Sequence, residues 1–384
     1  MPCERRFAVM APGARTWQIL QTCVRGLAAA GHTPQVTVLG LEQEPRPEGA
    51  FPFEVVVPLD DSPSGPICNV RYVPLTFEPF MALADENGGG GALPDEVDAV
   101  VGTASAQPCA TAAALATRLG VPLWVDFFGD PFAEIQTKAE LSPEARGEND
   151  TRTHHVWKLH LASLLRGDAF SALSRRQRHA VIGQLGAAGR LNRHTAGTDL
   201  VAAIPFALFP PDVPPGTDGG RLPGGDFTAM WCGSFNTWMD VDALVGGIAG
   251  AVTRNPRVRL MVVGGAIPNY HGDGFGQFQE GIRDAGIAHA VDIVGWQPLG
   301  EMRRLYERCC VGLNVDRYSY EALLGSRTRI VQFVAAGLPV ISTVVTELSE
   351  ELRDAGLLLP FQLGDAASLT GALLDAAGRQ SELA

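Results

Sequence analysis

Between Phe227 and Trp296 three short apolar runs, "FTAMWCGS", "VRLMVVGG" and "AVDIVGW", each lead into glycine. The two segments separating them, "VDALVGGIAGAVTRN" and "FGQFQEGIRDAG", carry apolar residues at helical spacing. Strand, glycine turn, helix and strand in that order make a right-handed crossover unit, and its repetition predicts a doubly wound parallel sheet. The first half of the chain keeps the same rhythm. "RFAVMAPGA", ending in Pro12-Gly13, leads to the helix "TWQILQTCVRGLAAAGH", which Gly31 stops, and then to "QVTVLGL". "VDAVVGT" leads through "CATAAALATRLG" to "VPLWVDFFGD", and "GDAFSAL" and "AAIPFAL" flank a basic helix, "SRRQRHAVIGQLG". "FPPDVPPGTDGGRLPGGD", crowded with Pro and Gly and without apolar period, interrupts the alternation. The α/β pattern therefore predicts two Rossmann-like domains, 1–208 and 227–384, joined by a linker at 209–226. A length of 384 residues, beyond the usual reach of one core, agrees. Ligands of such sheets bind beyond the carboxyl ends of the strands, so the chemistry is expected in a cleft between the two domains.

Composition narrows the function classes. With 46% hydrophobic and 19% charged residues the chain reads as globular, and a net charge of −12 argues against a protein whose task is coating nucleic acid. Seven cysteines without metal-type spacing point to reduced thiols in a cytosolic setting. The N-terminus lacks a signal-peptide core, and no run approaches the roughly 18 apolar residues that a spanning helix needs. The expected location is the cytoplasm. Contact with the inner face of a membrane stays open, because "SRRQRHAV" and "VWKLHLASLL" could meet anionic lipid; a solvated helix face is the alternative.

In the second domain the strand ends "CGSFNTWMDVD", "GGAIPNYHGDG" and "DRYSYEALLGSRTR" are polar or glycine-rich. Gly233, Gly265 and Gly325 would let backbone approach a ligand, and the free amides of a helix start, with Ser326 and Thr328, favour an anion. Arg327 and Arg329 in a helix's first turn oppose the helix dipole unless something negative sits there. A diphosphate would supply that charge through forked contacts. Charge placement leaves a second reading open, in which both arginines point to solvent or pair with Glu321 and Asp316. Tyr320 lies in the same loop. After the strand "FTAMWC", Asn236 and Thr237 are candidate ligand contacts, Asp240 is expected to cap the next helix, and Trp238 to pack between the domains. His154, His155 and His160 lack a matching ligand set and read as an exposed helix rather than a metal site.

From "RFAVMAPGA" with Gly13 to "AAGLPVIST", the chain resembles the retaining glycosyltransferases of the GT-B fold, in particular glycosyltransferase family four. The motifs carrying most weight are "RLMVVGG", "AVDIVGW", "LYERCCVGLNVD" and "GSRTRIVQFVAAGLPVIST", while "GSFNTWMDVDALVGGI" and "YEALLGSRTRI" look like a divergent subgroup. The resemblance implies transfer of a sugar from a nucleotide diphosphate sugar, used as co-substrate without further cofactor or metal, to a sugar, lipid or small-molecule acceptor, with retention. It also implies an acceptor-binding first domain and a donor-binding second domain. The family's two glutamates would fall at Leu324 and Gln332; Gln332 could still bond a ribose, and Glu321 is expected to replace the lost sugar contact. The family's basic pair is absent at Ser234 and Met239, which makes Arg327 and Arg329 the expected diphosphate contacts and Arg327 the main catalytic group. The family often presents a histidine where "VDFFGDPFAE" ends. Here Asp130 is the nearest polar group, and it could equally cap the helix that Pro131 begins. Alternatives left open by the lost carboxylates are a non-catalytic nucleotide-sugar-binding protein and a sugar-nucleotide epimerase.

Overall fold

The computed structural model describes residues 4–10, 14–41, 53–58, 67–85, 92–93, 96–141, 146–207, 225–266 and 273–383. Gly13, the glycine-rich loop near residue 90 and all but the last two residues of the expected linker lie outside the described residues. The chain divides into two compact units, residues 1–135 with 146–206 and residues 136–145 with 207–384.

The first unit runs β1 (Glu4–Met10), α1 (Ala14–Ala29), β2 (Thr33–Leu41), β3 (Phe53–Pro58), β4 (Ile67–Leu75), α2 (Phe77–Ala82), β5 (Ala99–Ala104), α3 (Ala106–Leu119), β6 (Leu123–Phe127), the start of α4 (Pro131–Leu141, whose residues from 136 on count with the second unit), α5 (Arg146–Arg166), β7 (Ala169–Ala172), α6 (Arg175–Ala187) and β8 (Val201–Ala203). The strands form one sheet in the order β3-β4-β2-β1-β5-β6-β7-β8. All neighbours are parallel except β3, which pairs antiparallel with β4 from Phe53↔Tyr72 to Pro58↔Ile67. Apolar period does not announce this edge pair, because "FEVVVP" is too short to be told from a buried turn until β4 lies beside it. Val100, Leu123, Val125, Phe127 and Phe170 from the central strands pack with Cys109, Ala112 and Leu115 of α3 in the core.

The second unit contains β9 (Phe227–Cys232), α7 (Val241–Arg254), β10 (Val258–Val263), α8 (Gly274–Asp284), β11 (Val291–Gly295), α9 (Leu299–Glu307), β12 (Val311–Asn314), α10 (Tyr320–Leu324), α11 (Thr328–Ala335), β13 (Val340–Ser342), α12 (Glu347–Asp354), β14 (Leu358–Pro360), α13 (Ala366–Gly378) and α14 (Gln380–Leu383). Its six strands are all parallel in the order β11-β10-β9-β12-β13-β14, so the winding reverses between β9 and β12. Side chains of β9 alternate with period two. Phe227, Ala229 and Trp231 join Leu244 and Ile248 of α7 and Leu369 and Leu373 of α13, whereas Met230 and Cys232 join Ile330 and Phe333 of α11. The described residues include no helix long and apolar enough to cross a membrane.

Helix α13 lies on a glycine-rich stripe of α7, where Thr370 Oγ1 donates to the Gly247 carbonyl at 3.0 Å. A Cβ at Gly247 would stand 2.5 Å from Leu369 Cδ2 and 2.8 Å from Leu369 Cβ, too close for either to remain in place. Gly247→Ala should gain about 1 kcal/mol in helix propensity and lose about 1–3 kcal/mol to overpacking. A lowered melting temperature is the expected net result, and thermal unfolding followed by circular dichroism measures it.

Candidate functional site

Where the winding of a doubly wound sheet reverses, neighbouring crossovers leave to opposite faces and open a crevice beyond the strand ends. In the second unit that point lies between Gly233, after β9, and Val315-Asp316, after β12. Gly233 has φ +108°, and a Cβ on Gly264, itself at φ +118°, would stand 2.2 Å from the Gly233 carbonyl oxygen; neither position admits a side chain without strain. The loop after β9 is stitched to the end of β12. The Asp240 amide donates to the Val315 carbonyl at 3.0 Å, the Arg317 amide to the Trp238 carbonyl at 2.8 Å, and Arg317 Nε to the Met239 carbonyl at 3.0 Å. Asp240 caps α7, its Oδ1 accepting from the Ala243 amide at 3.0 Å. Ser234 Oγ and Asn236 Oδ1 share a 2.9 Å hydrogen bond, so Asn236 is held at the strand end as a ligand contact would need to be.

A buried ion cluster fills the β12 side. Arg327 Nε donates to both oxygens of Asp316 at 2.9 Å, and its Nη1 and Nη2 reach Glu321 at 3.0 and 2.7 Å. All three side chains are buried. Asp316 is further held by Asn314 Nδ2 on its carboxylate at 2.9 Å, and its backbone amide donates to Thr343 Oγ1 at 2.9 Å, which ties this residue to the "VIST" strand end. Burial by itself would lower the Arg327 pKa, but the charges and hydrogen bonds of Asp316 and Glu321 outweigh it and hold the pKa above the ordinary arginine range. Of the two readings of Arg327 that charge placement leaves open, the structure shows pairing with the neighbouring acids. Both Glu321 oxygens accept from the guanidinium.

Local structure explains why. The polar turn before the helix contains a short helix of its own, α10, capped by Ser319 Oγ accepting from the Ala322 amide at 3.0 Å. This brings Glu321 back over Arg327, the N-cap residue of α11. A Cβ at Gly325 would meet the Glu321 carbonyl oxygen at 2.7 Å, so this glycine serves the close passage of its own chain. Trp238, expected to pack between domains, lies over the Arg327 guanidinium at 5.8 Å.

Arg329 is placed differently. Its guanidinium carbon sits 3.7 Å from the Trp231 ring centroid, and Nη2 donates to the Ser234 carbonyl at 3.2 Å. No carboxylate lies within ion-pair distance of it among the described residues. Arg329 is buried and lies directly beside Gly233, where an added Cβ would stand 3.7 Å from Nη2. Burial pulls its pKa down to about 10, with Arg327 adding a smaller push in the same direction and Asp316 and Cys232 opposing. A buried cation without a carboxylate, in the first turn of α11 and against the glycine at the switch point, is an arrangement that an anion would complete.

Thr237 Oγ1 is buried without a partner, Gly265 ends the β10 turn at φ +156°, Tyr320 is exposed on α10, and Gln332 Oε1 accepts weakly from the Cys232 thiol at 3.9 Å. Ser326 and Thr328 flank Arg327 at the start of α11, where the Ser326 carbonyl accepts from Arg327 Nη1 at 3.2 Å. In the first unit Asp130 caps α4 through Oδ1, which accepts from the Phe132 and Ala133 amides at 3.0 and 2.9 Å, while Oδ2 accepts from Gln184 Nε2 at 2.8 Å. His160 departs from the exposed helix face expected for it. It is buried against Phe127 and Phe132 and bonded to Gln184 at 2.9 Å, because it occupies the inward side of α5; His154 and His155 stay exposed. Trp231 is not distinguished in the apolar run "FTAMWC", where nothing in the spacing separates a ring beneath a cation from an ordinary core residue.

The two arginines predict opposite stability effects. Arg327→Ala strands two buried carboxylates and should cost about 3–5 kcal/mol. For Arg329 the folded state binds the proton less tightly than the unfolded state, so its penalty is full below about pH 10 and is relieved as pH rises above it. Arg329→Met should therefore raise the melting temperature at pH 7, by ~2–4 °C per kcal/mol released. Calorimetry of both variants at pH 7 tests the pair; a destabilised Arg329→Met would contradict the assignment.

Residues 226–378 match the family model described as glycosyl transferases group 1. No curated protein matches the chain by sequence. Among solved structures, sucrose-phosphate synthase from Thermosynechococcus elongatus is similar at TM-score 0.69 and 16% identity, over 98% of this chain and 90% of that one. HepE from Anabaena in complex with UDP is similar at TM-score 0.62 and 14% identity, over 99% and 91%. The UDP-forming alpha,alpha-trehalose-phosphate synthase from Burkholderia vietnamiensis gives 0.58 and 13%, over 98% and 94%. At these identities the structural likeness establishes the fold, and the family match covers the second unit's sheet with the Arg327 and Arg329 positions on it. The chain has the GT-B fold, and residues 226–378 of its second unit match the group 1 glycosyl transferase model.

Proposed function

We propose that this enzyme moves a sugar from a nucleoside diphosphate sugar to an acceptor, with retention of configuration and without a bound metal. The observation that carries the reading is Arg329: a buried guanidinium with no carboxylate partner among the described residues, at the glycine turn of the switch point and the first turn of α11. The donor diphosphate would sit against Gly233, Ser234 and the first amides of α11, with Arg329 neutralising charge as the sugar–phosphate bond breaks. Asn236 and Gln332 would orient the nucleoside and sugar. The leaving-group role first expected of Arg327 passes to Arg329, and Glu321, with both oxygens on Arg327, fixes the loop rather than the sugar. In this reading the second domain holds the donor and the first, with Asp130 at its β6 end, receives the acceptor. HepE is known in complex with UDP-glucose, and the Burkholderia enzyme is UDP-forming, which supports a uridine nucleotide as the first donor to try. A cytoplasmic setting, with contact at the inner face of a membrane when the acceptor is lipid-linked, fits this chemistry.

Thermal shift with UDP and UDP-sugars is the direct test. A ligand at 100 times its Kd should stabilise the protein by about 2.7 kcal/mol. Arg329→Met should abolish that shift and lower donor-dependent turnover by about 10²–10³-fold, the range seen when a charge-stabilising donor is removed. Release of free nucleoside diphosphate in step with glycosylated product distinguishes transfer from epimerisation, which releases none. Full donor-dependent turnover by Arg329→Met would refute the assignment.

A further inference from the structure

An arginine meant to receive a diphosphate must be held in place without being neutralised, and a carboxylate partner does the first at the expense of the second. Arg327 illustrates that outcome, its charge being matched by Asp316 and Glu321. Arg329 is supported on the opposite principle. The Trp231 ring lies 3.7 Å beneath its guanidinium carbon, well inside the ~6 Å reach of a cation–π contact. The ring face attracts the cation through its quadrupole and leaves the net charge intact.

Trp231 is built to stay where it is. It is fully buried, its ring lies 5.2 Å from that of Phe235, and Phe235 packs in turn on Phe275 at 5.2 Å and Phe278 at 4.8 Å. The residue also carries a cost that a plain core residue would not. Its indole N–H has no hydrogen-bond partner, whereas buried tryptophans ordinarily place that group on an acceptor. Phenylalanine or leucine would fill the layer without an orphaned donor. What the indole adds is the largest ring face, under a cation that reaches over the strand end from the layer on the other side of the sheet.

We propose that Trp231 is a positioning residue for donor binding, holding Arg329 by its ring face so that the guanidinium meets the nucleoside diphosphate with no carboxylate bonded to it. The proposal rests on the donor-site reading above and extends it to a residue that touches no substrate. The charged and titratable groups facing Arg329 are Asp316 after β12, Arg327 at the start of α11 and Cys232 on β9, with Tyr306 of α9 bonded to Cys232. Burial raises the pKa of both Cys232 and Tyr306, so neither supplies a negative charge at neutral pH.

The experiment is calorimetric titration of UDP and of inorganic pyrophosphate into the full chain between pH 7 and 10.5. Trp231→Leu should weaken UDP binding ~10–30-fold, the equivalent of a desolvated cation–π contact, and Trp231→Phe should restore most of the loss. The alkaline loss of affinity should begin at lower pH in Trp231→Leu, because removing the ring destabilises the cation. Donor KM should rise while acceptor KM holds. Since Trp231→Leu removes a core side chain, site-specific replacement of Trp231 by tryptophans of increasing fluorine content gives a readout at nearly constant shape, and log Kd should climb with each fluorine. Affinity unchanged across the fluorinated series, or equal losses in the leucine and phenylalanine variants, would overturn the proposal and leave the donor-site reading standing. No binding of UDP or pyrophosphate by the unsubstituted protein would overturn both.

Discussion

The second unit depends on one buried ion cluster. Arg327 binds Asp316 with one edge of its guanidinium and Glu321 with the other, tying the end of β12, the short helix α10 and the start of α11 into a single turn. Three ionised groups are expensive to bury, and the arrangement holds because each oxygen and most of the guanidinium N–H groups find partners, with Asn314 and Thr343 fixing Asp316 from behind. The glycine at 325 is the steric condition for it. Once this turn is set, α11 begins at the switch point and Arg329 is delivered over the end of β9.

Arg327 and Arg329 are two residues apart, carry the same charge and are both buried, yet they take opposite parts. One is matched by two carboxylates and serves as structure. The other rests on an aromatic ring and one carbonyl oxygen, with no carboxylate in contact, at the glycine turn. Stability favours the first arrangement and binding requires the second, which is the usual division between residues that hold a site and those that act in it. The surplus negative charge on Asp316 still reaches Arg329 through space and offsets part of its burial penalty.

The doubly wound sheets were legible because buried parallel strands and covering helices impose distinct periods, and "FTAMWCGS" through "GLPVIST" keep them without a break. Caps were legible too: Asp240 and Asp130 stand where a helix start needs an acceptor, and both provide it. The pairing of β3 with β4 was not, since an edge strand acquires its identity from a partner many residues away. His160 was misplaced for a related reason. Three histidines on one helix look alike in sequence, and only the packing of α5 against Phe127, Phe132 and Gln184 separates the buried one from the exposed two.

The sequence by itself determined the strand and helix alternation, the glycines at the strand ends and the presence of two arginines where an anion is expected, because these follow from local period, backbone freedom and helix-end charge. It could offer Glu321 and Asp316 as partners for either arginine without choosing between them. Tertiary structure decided that choice: α10 turns Glu321 toward Arg327, while Arg329, two residues further on, lies over the Trp231 ring. Which charge is cancelled and which is kept depends on distances of a few ångströms between segments up to about a hundred residues apart, and no local pattern encodes them.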